Sequence, residues 1–134
     1  MIESTEQAIE ILQDSSNSET EREHAFQFLQ EHESREGIDV LVTSLEDDDY
    51  GVRWAAGSAL AQYGESSMPS LLNALIKTDN DSRLREGAVH IIHNSTSRKF
   101  REDSKELLEA LKGPSAAIAS MEAAYGLMEK WNIR

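Results

Sequence analysis

Three arginines, Arg22, Arg53 and Arg85, stand 31 and 32 residues apart, and the sequence around them superimposes without a gap. Ser18-x-x-Glu21-Arg22, Asp49-x-x-Val52-Arg53 and Asp81-x-x-Leu84-Arg85 open three equivalent segments. Three residues past each Arg comes Ala25, Ala56 or Ala88, and seven past comes Leu29, Leu60 or Ile92. Such spacings place these residues on one face of a helix. The Ser or Asp that opens each segment is an expected N-cap, its oxygen accepting from an orphan backbone N–H of the first turn. A shorter apolar helix precedes the later segments, with Leu45 and Leu75 at equivalent places 30 residues apart. A pair of short helices cannot bury its apolar face alone, whereas stacked copies bury it against one another. The repeat therefore constrains the chain to an all-α class, an α-solenoid of about four helix pairs in one domain. The pairs are expected at about 4–33, 37–64, 66–95 and 100–132, with no strand.

The elements follow in order. A helix over 5–14 buries Ala8, Ile11 and Leu12, and Ser4 with Gln7 forms its capping box. A turn at 15–17 leads to a helix capped by Ser18, with Glu21 at its third position, running to about His32. Residues 33–37 break it, and a short helix spans Ile38–Leu45. From the Asp49 cap the next helix buries Val52, Ala56, Ala59, Leu60 and Tyr63, and Gly64 supplies the left-handed residue that ends it. Pro69 fits only a first turn, so it starts the following helix. After a turn over 78–81, helices are expected at Ser82–His93, Phe100–Leu111 and Ser115–Trp131.

The stretch Asp49-x-x-Val52-Arg53-x-x-Ala56-x-x-Ala59-Leu60, closed by Gly64, resembles the HEAT-like repeat of the phycobilisome-lyase type. The likeness is closest over 38–64, continues over 68–93 and loosens over 5–32. In the last unit Ala117 and Met121 occupy the places of the cap and the Arg, as suits a terminal capping unit. The resemblance implies an armadillo-like, right-handed superhelix with a polar ladder of cap Asp and Arg along the seams. It also implies a concave face lined by the second helix of each pair. The outward positions on those helices make three rows. The first is Glu23, Trp54, Glu86 and Glu122; the second is His24, Ala55, Gly87 and Ala123; the third is Gln27, Ser58, His90 and Gly126. Glu23, His24, Gln27, Trp54, Ser58, Glu86, His90 and Glu122 are the candidate partner-binding residues.

With 13 basic and 25 acidic residues the net charge is −12. Nucleic acid and anionic membrane surfaces are bound largely through Lys and Arg, so this balance favours a basic protein or peptide partner instead. There is no cysteine, which excludes disulfides and thiol-based metal sites. No stretch reads as a signal peptide or a membrane span, and a monomer in the cytoplasm is expected. Glu86, His90 and His93 share a helix face, but no second cluster converges on them, so no metal or cofactor is expected. Neither a Gly-rich phosphate loop nor a Ser–His–Asp order is present. The function expected is non-catalytic protein binding. The alternative that the resemblance implies is a small bilin lyase or chaperone-like factor acting on a pigment-bearing protein. Trp54 stands outside the buried stripe of its helix, in a row otherwise made of glutamates, and is the expected anchor, the alternative being that it folds over onto the next repeat's helix, where Glu86 and Gly87 leave space.

Overall fold

The computed structural model describes residues 1–14, 16–77 and 80–133; the expected turns at 15–17 and 78–81 lie partly outside them. Nine α-helices and no strand occur among the described residues. They are α1 (Thr5–Gln13), α2 (Glu19–Glu31), α3 (Arg35–Ser44), α4 (Tyr50–Tyr63), α5 (Met68–Leu75), α6 (Ser82–Asn94), α7 (Arg98–Asp103), α8 (Lys105–Lys112) and α9 (Ala116–Lys130), with a 3-10 turn over Gly64–Ser67.

Short polar side chains set where these helices begin. Ser4 accepts from the Gln7 amide at 3.1 Å, Ser18 from Glu21 at 3.1 Å, Asp49 from Gly51 at 2.8 Å and Asp81 from Arg83 at 2.7 Å. Ser34 caps α3 in the same way through Gly37, so the helix starts three residues earlier than its apolar run indicates. Gly37 is buried one turn in, where an added Cβ would stand 2.9 Å from Ser34 Oγ. The residues expected to break the chain here thus cap and begin a helix. Gly64 ends α4 with φ 63° as expected, but its ψ of −123° lies outside the left-handed helical well, in a region that only glycine enters readily.

The first three pairs form two layers. Helices α1, α3 and α5 stack in one, and α2, α4 and α6 in the other. Leu29, Leu41, Leu45, Leu60, Leu71 and Ile91 fill the space between them and are fully buried. Close approach between helices uses the small residues of α4 and α6, at Gly57 within the second layer and at Gly87 against the end of α3. A Cβ on Gly57 would meet His90 Cδ2 at 3.0 Å, and one on Gly87 would meet Leu45 Cδ2 at 3.0 Å.

The last pair departs from the repeat. The expected helix over 100–111 is two, α7 and α8, divided at the fully buried Ser104 (φ −94°, ψ 9°). More importantly, α8 packs on α6 and α9 packs on α5. The first helix of this pair therefore joins the second layer, and its second helix joins the first. The expected alignment of α9 with α2, α4 and α6 is corrected. The cause lies in the chain that leaves α6. Thr96 N–H donates to Ala61 O and its hydroxyl to Gln62 O, both at 3.1 Å, while Ser97 Oγ donates to Glu65 Oε1 at 3.2 Å. These bonds tie the connection to the end of α4, and α7 inserts Phe100, wholly buried, directly after it. The place beside α5 is left to α9. Its far end is held by Trp131 Nε1, which donates to Asp103 Oδ2 at 2.8 Å, and its near end by Asn80 Nδ2, which reaches Ala117 O at 3.3 Å.

Candidate protein-binding site

Two of the recurring arginines, Arg53 and Arg85, hold their own units together. Arg53 Nη1 donates to the carbonyls of Asp47 (2.8 Å) and Asp48 (3.1 Å), and Arg85 Nη1 donates to Asn80 O (2.7 Å). Arg101 makes the same kind of bond to Ser95 O. A guanidinium five or six residues past a loop thus satisfies carbonyls that the loop leaves without helical partners. The ion pairs across the seams run instead through loop aspartates. Arg22 pairs with Asp47 at 3.7 Å, and Asp48 pairs with Arg83 at 2.6 Å. The expected ladder therefore exists in altered form: the caps Asp49 and Asp81 serve helix N–H groups, and Asp81 also holds Arg83 at 3.1 Å. The hydrogen bonds from Arg83 hold the Asp81 carboxyl below the usual carboxylate range.

Two clefts open on the α2–α4–α6 layer. Between α4 and α6 lies one of about 160 Å³, walled by Tyr50, Trp54 and His90 and floored by Gly57 and Gly87. Trp54 keeps 56% of its surface exposed and Tyr50 63%. The Trp54 ring leans toward His90 of the next unit, with centroids 6.0 Å apart and planes tilted by 40°. Arg53 lies 5.5 Å over the Tyr50 ring. Between α2 and α4 lies a second cleft of about 210 Å³, floored by Phe26, Val52 and Ala55 and rimmed by Glu19, Glu23 and Asp49.

The sequence matches the family of HEAT repeats over residues 5–92. This chain is a HEAT-repeat protein. The match stops within α6, just before the layers exchange, so the closing pair lies beyond the part that fits the family. No curated protein and no solved structure matches the chain. Among the described residues no helix is long and apolar enough to cross a membrane.

Within this HEAT array the candidate residues separate into groups. Glu23, Trp54 and Glu86 lie exposed along the second-helix layer, and His90 lines the same cleft as Trp54 and Glu86. His24 and Gln27 are exposed, but they line a groove between α2 and α1 at the end of the array, with Ile2 and Ile11. Ser58 is half-buried on α4. Glu122 is exposed on α9, which belongs to the other layer, and so it leaves the row. In the second row, Ala55 lines the α2/α4 cleft, and Gly87, which packs closely on Leu45, also lines the α4/α6 cleft. His90 and His93 do not combine, since His90 lies against Gly57 and Trp54 whereas His93 Nε2 meets Lys112 Nζ at 3.1 Å.

Tyr50, Arg53 and Arg83 complete the α4/α6 cleft and were not among the expected residues. Tyr50 stands four residues before Trp54, one helical turn away on the same face, and that spacing was the signal available. Charge is also unevenly spread. Residues 1–76 contain 16 acidic and 3 basic residues, net −13, whereas residues 77–134 contain 9 acidic and 10 basic, net +1. The acidity of the molecule belongs to α1–α5.

Proposed function

We propose that this HEAT-repeat protein is a non-catalytic binding module that engages a basic protein or peptide on the α2–α4–α6 layer. HEAT repeats serve in general for protein–protein interaction, and one observation supports this choice of face. Trp54 and Tyr50 stay more than half exposed on one turn of α4, above a cleft, while the buried stripe of that helix is already complete without them. Large aromatics left in contact with water at a cleft are what binding anchors look like before a partner arrives. The acidic surface beside them, at Glu19, Glu23 and Asp49, supplies attraction for a cationic partner and speeds its encounter.

The test is selection of phage-displayed random peptides on the whole chain. Enriched peptides should bind the protein and lose at least tenfold in affinity with Trp54→Ala, a change at an exposed position that leaves the urea midpoint nearly unmoved. Enriched peptides indifferent to Trp54→Ala would place the binding elsewhere. The finer subtype, a phycobilisome-lyase repeat with activity toward bilins, is supported by the residue pattern at 49–64 alone. As a binding module the protein leaves the absorbance spectrum of an added bilin unchanged; a shifted spectrum would favour the lyase role.

A further inference from the structure

The two clefts are the same site in successive repeats. Both are built from positions three before, one after and four after the repeat Arg: Glu19, Glu23 and Phe26 in the first, Tyr50, Trp54 and Gly57 in the second. Position by position, the carboxylates of the first become aromatic rings in the second. The electrostatics differ accordingly. At the α2/α4 cleft, Glu19, Glu23 and Asp49 form the rim above an apolar floor, and the nearby Arg22 is paired to Asp47. A cation with a long apolar stem matches this arrangement, since the stem covers Phe26 and Val52 while the charge stays at the carboxylates. At the α4/α6 cleft, Arg53 and Arg83 line the walls beside Trp54 and Tyr50. Arg83 is paired there with Asp48 and Asp81, and Arg53 balances Glu86, so this cleft lacks the carboxylate rim of the first, and its aromatic walls favour an apolar or aromatic side chain.

Resting on the binding face proposed above, we infer that one extended, basic protein segment spans both clefts, placing a Lys or Arg side chain between α2 and α4 and an aromatic or large aliphatic side chain, three residues away, between α4 and α6. The spacing follows from the array. Packed helices lie about 8–10 Å apart, and a segment in the extended polyproline II form rises about 3.1 Å per residue with about three residues per turn, so side chains three apart share a face and reach neighbouring clefts. The occupant is basic because Glu19, Glu23 and Asp49 line the first cleft and the half of the chain that builds it, residues 1–76, carries a net charge of −13.

Peptides enriched by phage selection on the whole chain, then synthesised with a fluorescent label, test this by anisotropy. They should share a basic residue with an aromatic or large aliphatic residue three positions from it. Glu23→Lys should weaken them at least tenfold, and so should moving the basic residue by one position. Binding should also weaken as salt rises, because exposed attraction is screened over roughly 10 Å at 0.1 M. A spacing of seven would indicate a helical ligand and overturn the extended register, as would enriched peptides that are acidic. Peptides that need Trp54 but ignore Glu23→Lys would overturn the two-cleft arrangement and leave the binding face standing. Enrichment of nothing above background would overturn both.

Discussion

Tyr63 shows how a single side chain can sit at the end of a predicted stripe and still carry a cost. Its ring joins the core, yet its hydroxyl is buried without a hydrogen-bond partner. Burial, with the Glu33 charge adding to it, pushes the phenol up to about 12 from its ordinary 10.0. The unfolded chain therefore ionises first as pH rises. The contribution of this group to stability is complete below about pH 10 and is lost as pH approaches 12. Tyr63→Phe removes the unpaired oxygen and should stabilise by about 1 kcal/mol at neutral pH. In urea melts it should also flatten the loss of stability between pH 10 and 12; a variant that falls as steeply as the parent would show that Tyr63 does not titrate this way. At this scale the sequence was a good guide wherever helix periodicity decides the outcome. Trp54 is outside the stripe of α4 and is exposed, and Asp49 and Asp81 cap. It was a poor guide wherever a partner lies far along the chain, as with Arg83, whose contact with Asp48 spans 35 residues.

Among the elements, Asn80 and Asp103 hold the closing pair in place. Asn80 Nδ2 donates to Leu75 O at 2.8 Å and reaches Ala117 O on α9, while its Oδ1 accepts from Arg85 at 2.5 Å. One buried amide thus joins α5, α6 and α9, and Asn80→Ala should cost about 1–3 kcal/mol in a urea melt by leaving buried groups unpaired. A loss no larger than that of an exposed control such as Glu10→Ala would remove Asn80 from this role. The bond from Trp131, followed by that from Lys130, holds the Asp103 carboxyl below its usual range. A depressed pKa means that the stabilisation is present above the unfolded value near 3.8 and is lost as pH falls through the folded one. Asp103→Asn should accordingly weaken the fold at neutral pH and reduce its acid sensitivity below about pH 4, measured as midpoint against pH. Equal acid sensitivity in both proteins would contradict the clasp. The exchange of layers by α8 and α9 was hidden in the sequence for a physical reason. Ala124 and Met128 make an apolar face that either layer can receive, and the helix periodicity is the same in both. What decides the matter is the tie of Thr96 to α4, a tertiary contact with no local signature.

Across the whole molecule the concentration of −13 charges within residues 1–76 sets up self-repulsion that ions relieve. Thermal midpoints should rise as sodium chloride is raised from about 10 to 150 mM, a range over which the screening length shortens from about 30 to 8 Å. A midpoint that fell with salt would mean that the ion pairs across the seams outweigh the repulsion. The solenoid itself was legible because its contacts are made between neighbours in sequence, so a repeat of spacing is a repeat of structure. The proposed binding face was legible in part. Its acidic and aromatic members were visible as rows, but the division into two clefts of different chemistry depends on how α4 stands between α2 and α6. The most direct test of the central claim is a map of amide chemical shifts in the 15N-labelled protein as a selected basic peptide is added. The account predicts that the shifted amides cluster at Glu23, Val52, Trp54, Gly57, Glu86 and Gly87, on the α2–α4–α6 layer. Shifts confined to α1, α3, α5 or α9 would contradict it.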